Sequence, residues 1–313
     1  MIASVHEGLA EKLRPRVRGR VEADAPVARL TSFNIGGPAA LLVAPADLED
    51  LQAVLAFARE EHLPVHVLGG GSNTLIRDGG IRGIVIRLTA FDRLERRDRA
   101  VCAGAGVRIS RLLAFCMKCG LTGLEILSGV PGTVGGAVWG NAGAWGGAVD
   151  ERVTEVELVT AEGAHQRVPR AAIPYRYRSS GLPPGSVVVA AAFGLAPGDP
   201  SAIRRQMSAY LVQRNAGQPV QFRSAGSIFK NPPGDFAGRL VEQAGLKGTR
   251  LGGAMISAKH GNFIVNLGSA RAADVLALVA LARQRVRESA GVELELEIRV
   301  IGEERAESLE PRA

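Results

Sequence analysis

Apolar positions in the first third of the chain alternate between two rhythms. Residues 38–44, PAALLVA, form a short apolar run that reads as a strand. Asp47 then opens a stretch in which Leu48, Leu51, Leu55 and Ala58 recur at helical spacing, predicting a capped helix to about Glu61. After Pro64, residues 65–68 predict a buried strand that stops at Gly69-Gly70-Gly71-Ser72-Asn73, and residues 84–88 predict another beyond the Asp78-Gly79-Gly80 turn. A strand over 101–107 leads into a helix that follows Arg108 and extends to Cys119, and strands return over 153–159 and 187–193.

Pro197-Gly198-Asp199-Pro200 marks a boundary, because the pattern beyond it turns helical and charged. Helices are predicted over 201–215, after a cap at Asp235, and after a cap at Ser269 as far as Ser289, the last burying Val275, Leu278, Val279, Ala282 and Val286. Strict alternation over 292–300 predicts a closing strand, and the polar tail after Gly302 is expected to fray. No internal repeat is visible. The fold class is α+β, with a strand-rich and glycine-rich first two-thirds, then a mixed domain, and a cleft between two domains is the expected ligand site.

Composition narrows the function. The 313 residues are 46% hydrophobic, enough for packed cores, and the 39 glycines are clustered rather than periodic. Residues 126–149, ILSGVPGTVGGAVWGNAGAWGGAV, carry no charge and eight glycines, but Ser128, Pro131, Thr133 and Asn141 interrupt the run and no membrane insertion is expected. The N-terminus lacks the apolar core of a signal peptide, so a cytoplasmic protein is expected. A net charge of +7 points to anionic partners, and Arg14, Arg16, Arg18 and Arg20 form a basic run. With only 4% aromatic residues for base stacking, a small anionic ligand fits better than nucleic acid. Cys116 and Cys119 fall one helical turn apart, with too few further ligands for a metal site, and read as reduced thiols. No obligate protein partner is evident.

The glycine loops carry the chemistry. Residues 68–73, LGGGSN, follow a strand but lead into no helix, Gly104-Ala105-Gly106 lacks a third glycine, and no P-loop motif occurs, so neither standard nucleotide fingerprint applies. Consecutive glycines instead expose successive backbone N–H groups as an anion nest, with Ser72 and Asn73 adding donors.

Eight ordered motifs between about residues 30 and 302 carry a family resemblance: TSFNIGG (31–37), LGGGSN (68–73), GLE (123–125), GVPGTVGGA (129–137), NAG (141–143), GSIFKNP (226–232), GLKG (245–248) and Lys259-His260. In this order they resemble the UDP-N-acetylenolpyruvoylglucosamine reductases (MurB family), in the shorter class that lacks an inserted tyrosine loop. The resemblance implies an FAD-binding fold of the vanillyl-alcohol-oxidase (PCMH) type with a C-terminal α+β substrate-binding domain. The expected division is an N-terminal helical lead (1–25), an FAD domain (26–198, subdomains about 26–90 and 91–198), a substrate domain (199–303) and a tail (304–313).

It also implies a reaction, in which NADPH reduces non-covalent FAD and the flavin delivers hydride to the enolpyruvyl group of a UDP-sugar in cell-wall biosynthesis. An oxidase of the same fold acting on sugars or alcohols is the alternative, and a basic nucleic-acid or anion binder a more distant one. The substrate's developing enolate needs a cationic partner, and its carbon a proton. From the residues alone Arg176 and Arg178 are equally available; the family motif Tyr177-Arg178-Ser179-Ser180 selects Arg178. The resemblance likewise makes Ser227 the proton donor and Glu297, the second glutamate of Leu294-Glu295-Leu296-Glu297, an assisting carboxyl. By periodicity alone Glu293, Glu295, Glu297 and Arg299 share one solvated strand face. Expected flavin contacts are Gly69, Gly70, Gly71, Ser72, Asn73, Gly129, Pro131, Gly132, Thr133, Gly135, Gly136, Asn141, Ala142 and Gly143; expected substrate contacts are Tyr177, Lys230 and Asn231. The chain departs from the family pattern at Asn34, where a basic residue is frequent, at Gly261, where alanine is usual, and at Leu296, where proline is common.

Overall fold

The structure, a computed structural model, describes residues 5–305. The tail expected to fray after Gly302 begins tied down: Glu303 accepts from the Gly79 N–H at 2.9 Å, donates its own N–H to Gly80 O at 2.8 Å and pairs with Arg82, while residues from 306 onward lie outside the described residues. Two compact units form, each assembled from three separate segments: Met1–Ala23, Leu41–Gly70 and Ile84–Gly217 in the first, Asp24–Ala40, Gly71–Gly83 and Gln218–Ala313 in the second. The sequence-based division at 198/199 therefore differs from the compact units, which change at Gly217 and interleave twice before it.

A four-stranded sheet has the order Arg20–Ala25, Ala39–Ala44, Ile81–Ile86, Val65–Val67. A second sheet of five strands runs His165–Pro169, Val153–Val159, Val187–Gly194, Ala100–Gly104, Leu94–Arg97, antiparallel throughout. One core joins them, with Leu41, Phe57, Ile84, Val101, Leu112, Val156 and Phe193 fully or almost fully buried. Helix Leu48–Glu60 begins where the Asp47 carboxylate accepts from the Asp50 N–H at 3.0 Å. Residues 65–67 are half-buried rather than buried, and the strand predicted at 84–88 starts earlier, at Ile81.

Among the described residues the lead is an α-helix over Val5–Leu13 and a 3-10 turn over Arg14–Arg16; by Arg20 it has become a sheet strand. Its basic run is neutralised internally, with Arg14 on Glu7, Arg16 on Glu60, Arg18 on Asp47 and Arg20 on Glu22.

Helix Pro200–Gly217 belongs to the first unit for a packing reason. Tyr210 stacks on Trp145 at 5.1 Å between ring centroids, and Leu211 and Arg214 close over Gly129.

The second unit holds helices Ala237–Gln243 and Ala272–Ala290, a sheet of Arg250–Leu251, Ala254–Ile256 and Ile264–Asn266, and a parallel pair of Thr74–Ile76 with Arg299–Ile301. Phe33 and Leu75 are wholly buried in its core beside Ile228, Val241, Val275 and Leu278, which is why segments distant in sequence fold into it.

Three predicted boundaries move. Helix Ala272–Ala290 is started by acids rather than by Ser269: Asp274 accepts from the Arg271 N–H, and Asp78 from the N–H groups of Ala272 and Ala273 at 2.8 and 3.0 Å. Helix Ala237–Gln243 begins two residues past Asp235, whose carboxylate takes the Phe236 N–H and pairs with Arg239. Of the alternating run 292–300 only Arg299–Ile301 is strand, because residues 295–297 bond instead to the loop at 228–230, through Lys230 N–H to Glu295 O and Glu297 N–H to Ile228 O. Among the described residues no helix is long and apolar enough to cross a membrane, and no group of His, Cys, Asp or Glu side chains could hold a metal.

Candidate active site

Two glycine loops meet in the first unit. A Cβ on Gly70 would lie 2.6 Å from Gly132 Cα, and one on Gly69 would lie 2.6 Å from Thr133 Oγ1. The absent side chains therefore let one loop rest on the other, a close approach that any larger residue prevents. What this leaves open is backbone: the N–H groups of Gly69, Gly70, Gly132 and Thr133 have no acceptor among the described residues. Such donors at the contact of two loops form a concave anion site, so the cradle fits a diphosphate.

The remaining glycines divide by what faces them. Gly136 is open, with Thr133 Oγ1 at 3.7 Å from its added Cβ, and suits a flat ring laid against backbone. A Cβ on Gly135 would lie 2.8 Å from Ala105 Cβ, one on Gly143 would lie 2.5 Å from Gly147 O, and one on Gly71 would run into Leu30 O, so their bareness is accounted for by protein. Asn141 is buried and fastens two loops: its Nδ2 donates to Arg176 O at 3.0 Å and its Oδ1 accepts from the Asp150 N–H. The Ala142 carbonyl accepts from the Val149 N–H at 2.9 Å, and Pro131 is exposed.

Arg178 sits in the same unit, at the tip of a turn closed by reciprocal backbone bonds between Arg176 and Ser179. Its φ of +58° is left-handed, a strained setting for arginine that the flanking pair enforces. Nη1 donates to Gly143 O at 2.9 Å, and the guanidinium lies 5.2 Å over the half-exposed Tyr177 ring. The predicted trio is thus split by unit, with Arg178 in the first and Ser227 and Glu297 in the second.

In the second unit Ser227 follows Gly226, a φ of +74°, and precedes a locked strand edge. Asn262, buried, holds that edge from both sides: Oδ1 accepts from the Phe229 N–H and Nδ2 donates to Phe229 O, each at 2.8 Å, while the Asn262 carbonyl takes the Ile228 N–H. Glu297 is brought to the same loop by its N–H on Ile228 O at 2.8 Å, and Asn73 Nδ2 donates to Glu297 O at 3.0 Å. The structure therefore assembles Asn73, Ser227 and Glu297 around one segment. Lys230 is engaged by Glu295, and Asn231 Oδ1 takes the Ala237 N–H at 3.1 Å.

Sequence reasoning overlooked Asn262. Its signal was the Asn after Gly261 in the segment that opens with Lys259-His260. His260 is half-buried, and burial first, then the nearby Lys247 charge, hold it below the ordinary imidazole range; its Nδ1 accepts from the Asn262 N–H at 3.1 Å. A pocket of about 560 Å³ in this unit, lined by Arg29, Thr31, Ser32, Asn34 and Arg223, surrounds the position where the family often has a basic residue.

Comparison with known proteins agrees with this geometry. The FAD binding domain family matches residues 39–169, and the family described as UDP-N-acetylenolpyruvoylglucosamine reductase, C-terminal domain, matches residues 218–301. A solved structure of Phl p 4.0202, a glucose dehydrogenase, shares the fold over 62% of this chain and 44% of that one, at 17% identity and a TM-score of 0.50. The two matched families, with the cradle, define an FAD-binding oxidoreductase of mixed α/β architecture.

Within that class the relatives are specific. UDP-N-acetylenolpyruvoylglucosamine reductases of Anaeromyxobacter sp. and Geobacter sulfurreducens are 48% and 47% identical, each aligned over 96% of this chain and over 94% and 100% of their own lengths. The crystal structure of the Thermus caldophilus reductase (MurB) matches at 40% identity and a TM-score of 0.77, covering 90% of this chain and 98% of that one. The chain belongs to the UDP-N-acetylenolpyruvoylglucosamine reductase family.

Proposed function

We propose that the chain reduces the enolpyruvyl double bond of UDP-N-acetylenolpyruvoylglucosamine to give UDP-N-acetylmuramate, with NADPH as electron source and non-covalent FAD as relay, in the cytoplasmic stage of peptidoglycan synthesis. The observation that carries this reading is the set of open N–H groups at Gly69, Gly70, Gly132 and Thr133, a diphosphate cradle in a chain of this family. FAD, when bound, supplies the hydride.

The chain's own residues supply the rest. The Arg178 guanidinium, pre-set by its turn and by Gly143, holds the substrate carboxylate as negative charge grows on it. Ser227 delivers a proton to the carbon beside that carboxylate; a hydroxyl is a weak acid and serves here because an enolate is strongly basic. Glu297 assists the proton transfer, and Tyr177, Lys230 and Asn231 contact the substrate. Thr133, Gly136 and the residues around Asn141 contact the flavin.

The test is stopped-flow measurement of the two half-reactions in Ser227→Ala. Reduction of the flavin by NADPH is expected to persist, while its reoxidation by the sugar nucleotide slows by roughly 10²–10⁴-fold. Unimpaired product formation would remove Ser227 from its role. Rapid reoxidation by air without the sugar nucleotide would favour an oxidase.

A further inference from the structure

The geometry points to Arg87 and Arg108 as a guanidinium pair that grips the diphosphate of FAD from beside the two glycine loops. Each arginine adjoins a backbone hydrogen bond that ties its segment to one of those loops. Arg87 directly follows Ile86, whose carbonyl takes the N–H of Leu68, the residue before Gly69. Arg108 pairs with Thr133 in an antiparallel bridge, flanked by Ile109 N–H on Gly132 O at 3.1 Å and Val134 N–H on Val107 O at 2.8 Å.

Neither guanidinium has a carboxylate partner among the described residues, whereas the arginines of the lead all do. Arg87 is nevertheless half-buried, and burial together with the neighbouring Arg108 charge pushes its guanidinium below the ordinary range. Two like charges, one of them partly out of water and both without a counter-charge, weaken the flavin-free protein. Helix Ile109–Lys118 adds field of the same sign, since its first turn contains no acid and its start has no side-chain cap. A dianionic diphosphate on the adjacent N–H cradle supplies what all of these lack.

The test uses the full chain stripped of flavin, titrated with FAD and separately with riboflavin, which carries no phosphate, by flavin fluorescence at low and high salt. The variants are Arg87→Met and Arg108→Met, which keep most of the apolar stem. The Kd for FAD is expected to rise about tenfold or more in each, as for loss of a charge-assisted contact, and to lose part of its salt dependence. Riboflavin affinity should stay within about twofold, and the flavin-free Arg87→Met protein should melt no lower than wild type, since a charge without a partner has been removed.

Unchanged FAD affinity in both variants overturns the assignment. So does equal loss for riboflavin and FAD, which would mean general damage to the site, and so does a raised KM for NADPH with FAD affinity intact, which would give the pair to the electron donor. Failure of the wild-type protein to take up FAD at all would instead overturn the flavin reading.

Discussion

Arg178 Nη1 donates to the carbonyl of Gly143 at 2.9 Å, so the cation assigned to the substrate carboxylate is anchored to the strand that begins the Gly143–Ala148 hairpin. That hairpin turns through Trp145 and Gly146, both left-handed, and Trp145 is stacked on Tyr210. Aim, rather than charge alone, is what this arrangement fixes.

Arg178→Lys should therefore fail despite keeping the charge. An ammonium on a flexible stem cannot both reach Gly143 O and present a planar fork. The half-reaction with the sugar nucleotide is expected to slow by roughly 10²–10³-fold, the usual cost of losing an aimed electrostatic donor, with flavin reduction by NADPH little changed. Stopped-flow traces near wild type in the second phase would sink the assignment.

Gly135 and Gly136 are adjacent in sequence but should respond differently to substitution. A side chain at Gly135 meets Ala105 at 2.8 Å, so Gly135→Val is expected to lower the melting temperature with or without flavin. Gly136 is exposed and a Cβ there would meet only Thr133 Oγ1, at 3.7 Å, so Gly136→Val should leave the flavin-free protein's melting temperature nearly unchanged while weakening FAD retention. Thermal melts of stripped and reconstituted protein separate the two, and equal behaviour would contradict the division of the glycines.

This contrast shows how far residues alone could be read. Strand and helix positions followed periodicity closely at Leu48–Glu60 and Val187–Gly194, where one face packs on a core. The glycine clusters marked backbone approach correctly, yet a glycine facing Ala105 and one facing solvent are identical letters. The interleaved units were invisible because Phe33 and Leu75 meet their core partners some two hundred residues away, and no local rule encodes that. For the same reason Asp78 could not be foreseen as the cap of the helix at Ala272, nor Asn73 as the tie to Glu297.

Asn262 positions Ser227 through Phe229, and its removal should be felt in catalysis as well as in stability. Asn262→Ala leaves the Phe229 N–H and carbonyl, both buried, without partners, at about 1–3 kcal/mol for each buried group. The variant is expected to melt lower and to slow the sugar-nucleotide half-reaction, with NADPH reduction of the flavin preserved. Asn262→Asp tests the geometry further: a carboxylate still accepts from the Phe229 N–H but cannot donate to its carbonyl, so partial recovery of stability is expected.

Cys116 and Cys119 look like a redox pair by spacing, but burial separates their chemistry. Burial first, then the nearby Cys119 and Glu125, push the Cys116 thiol up from 9.0 to about 12. Because the folded state holds this proton more tightly than the unfolded chain, the contribution to stability is full below pH 9 and is lost as pH rises toward about 12. At pH 8 the thiolate fraction of Cys116 is on the order of 10⁻⁴, and thiolate is the reactive form. Alkylation of the native protein at that pH, followed by mass spectrometry, is therefore expected to leave Cys116 unmodified, and labelling should appear there only on unfolding. Rapid native labelling of Cys116, or a disulfide to Cys119 under mild oxidant, would show that helix Ile109–Lys118 opens far more readily than its packing implies.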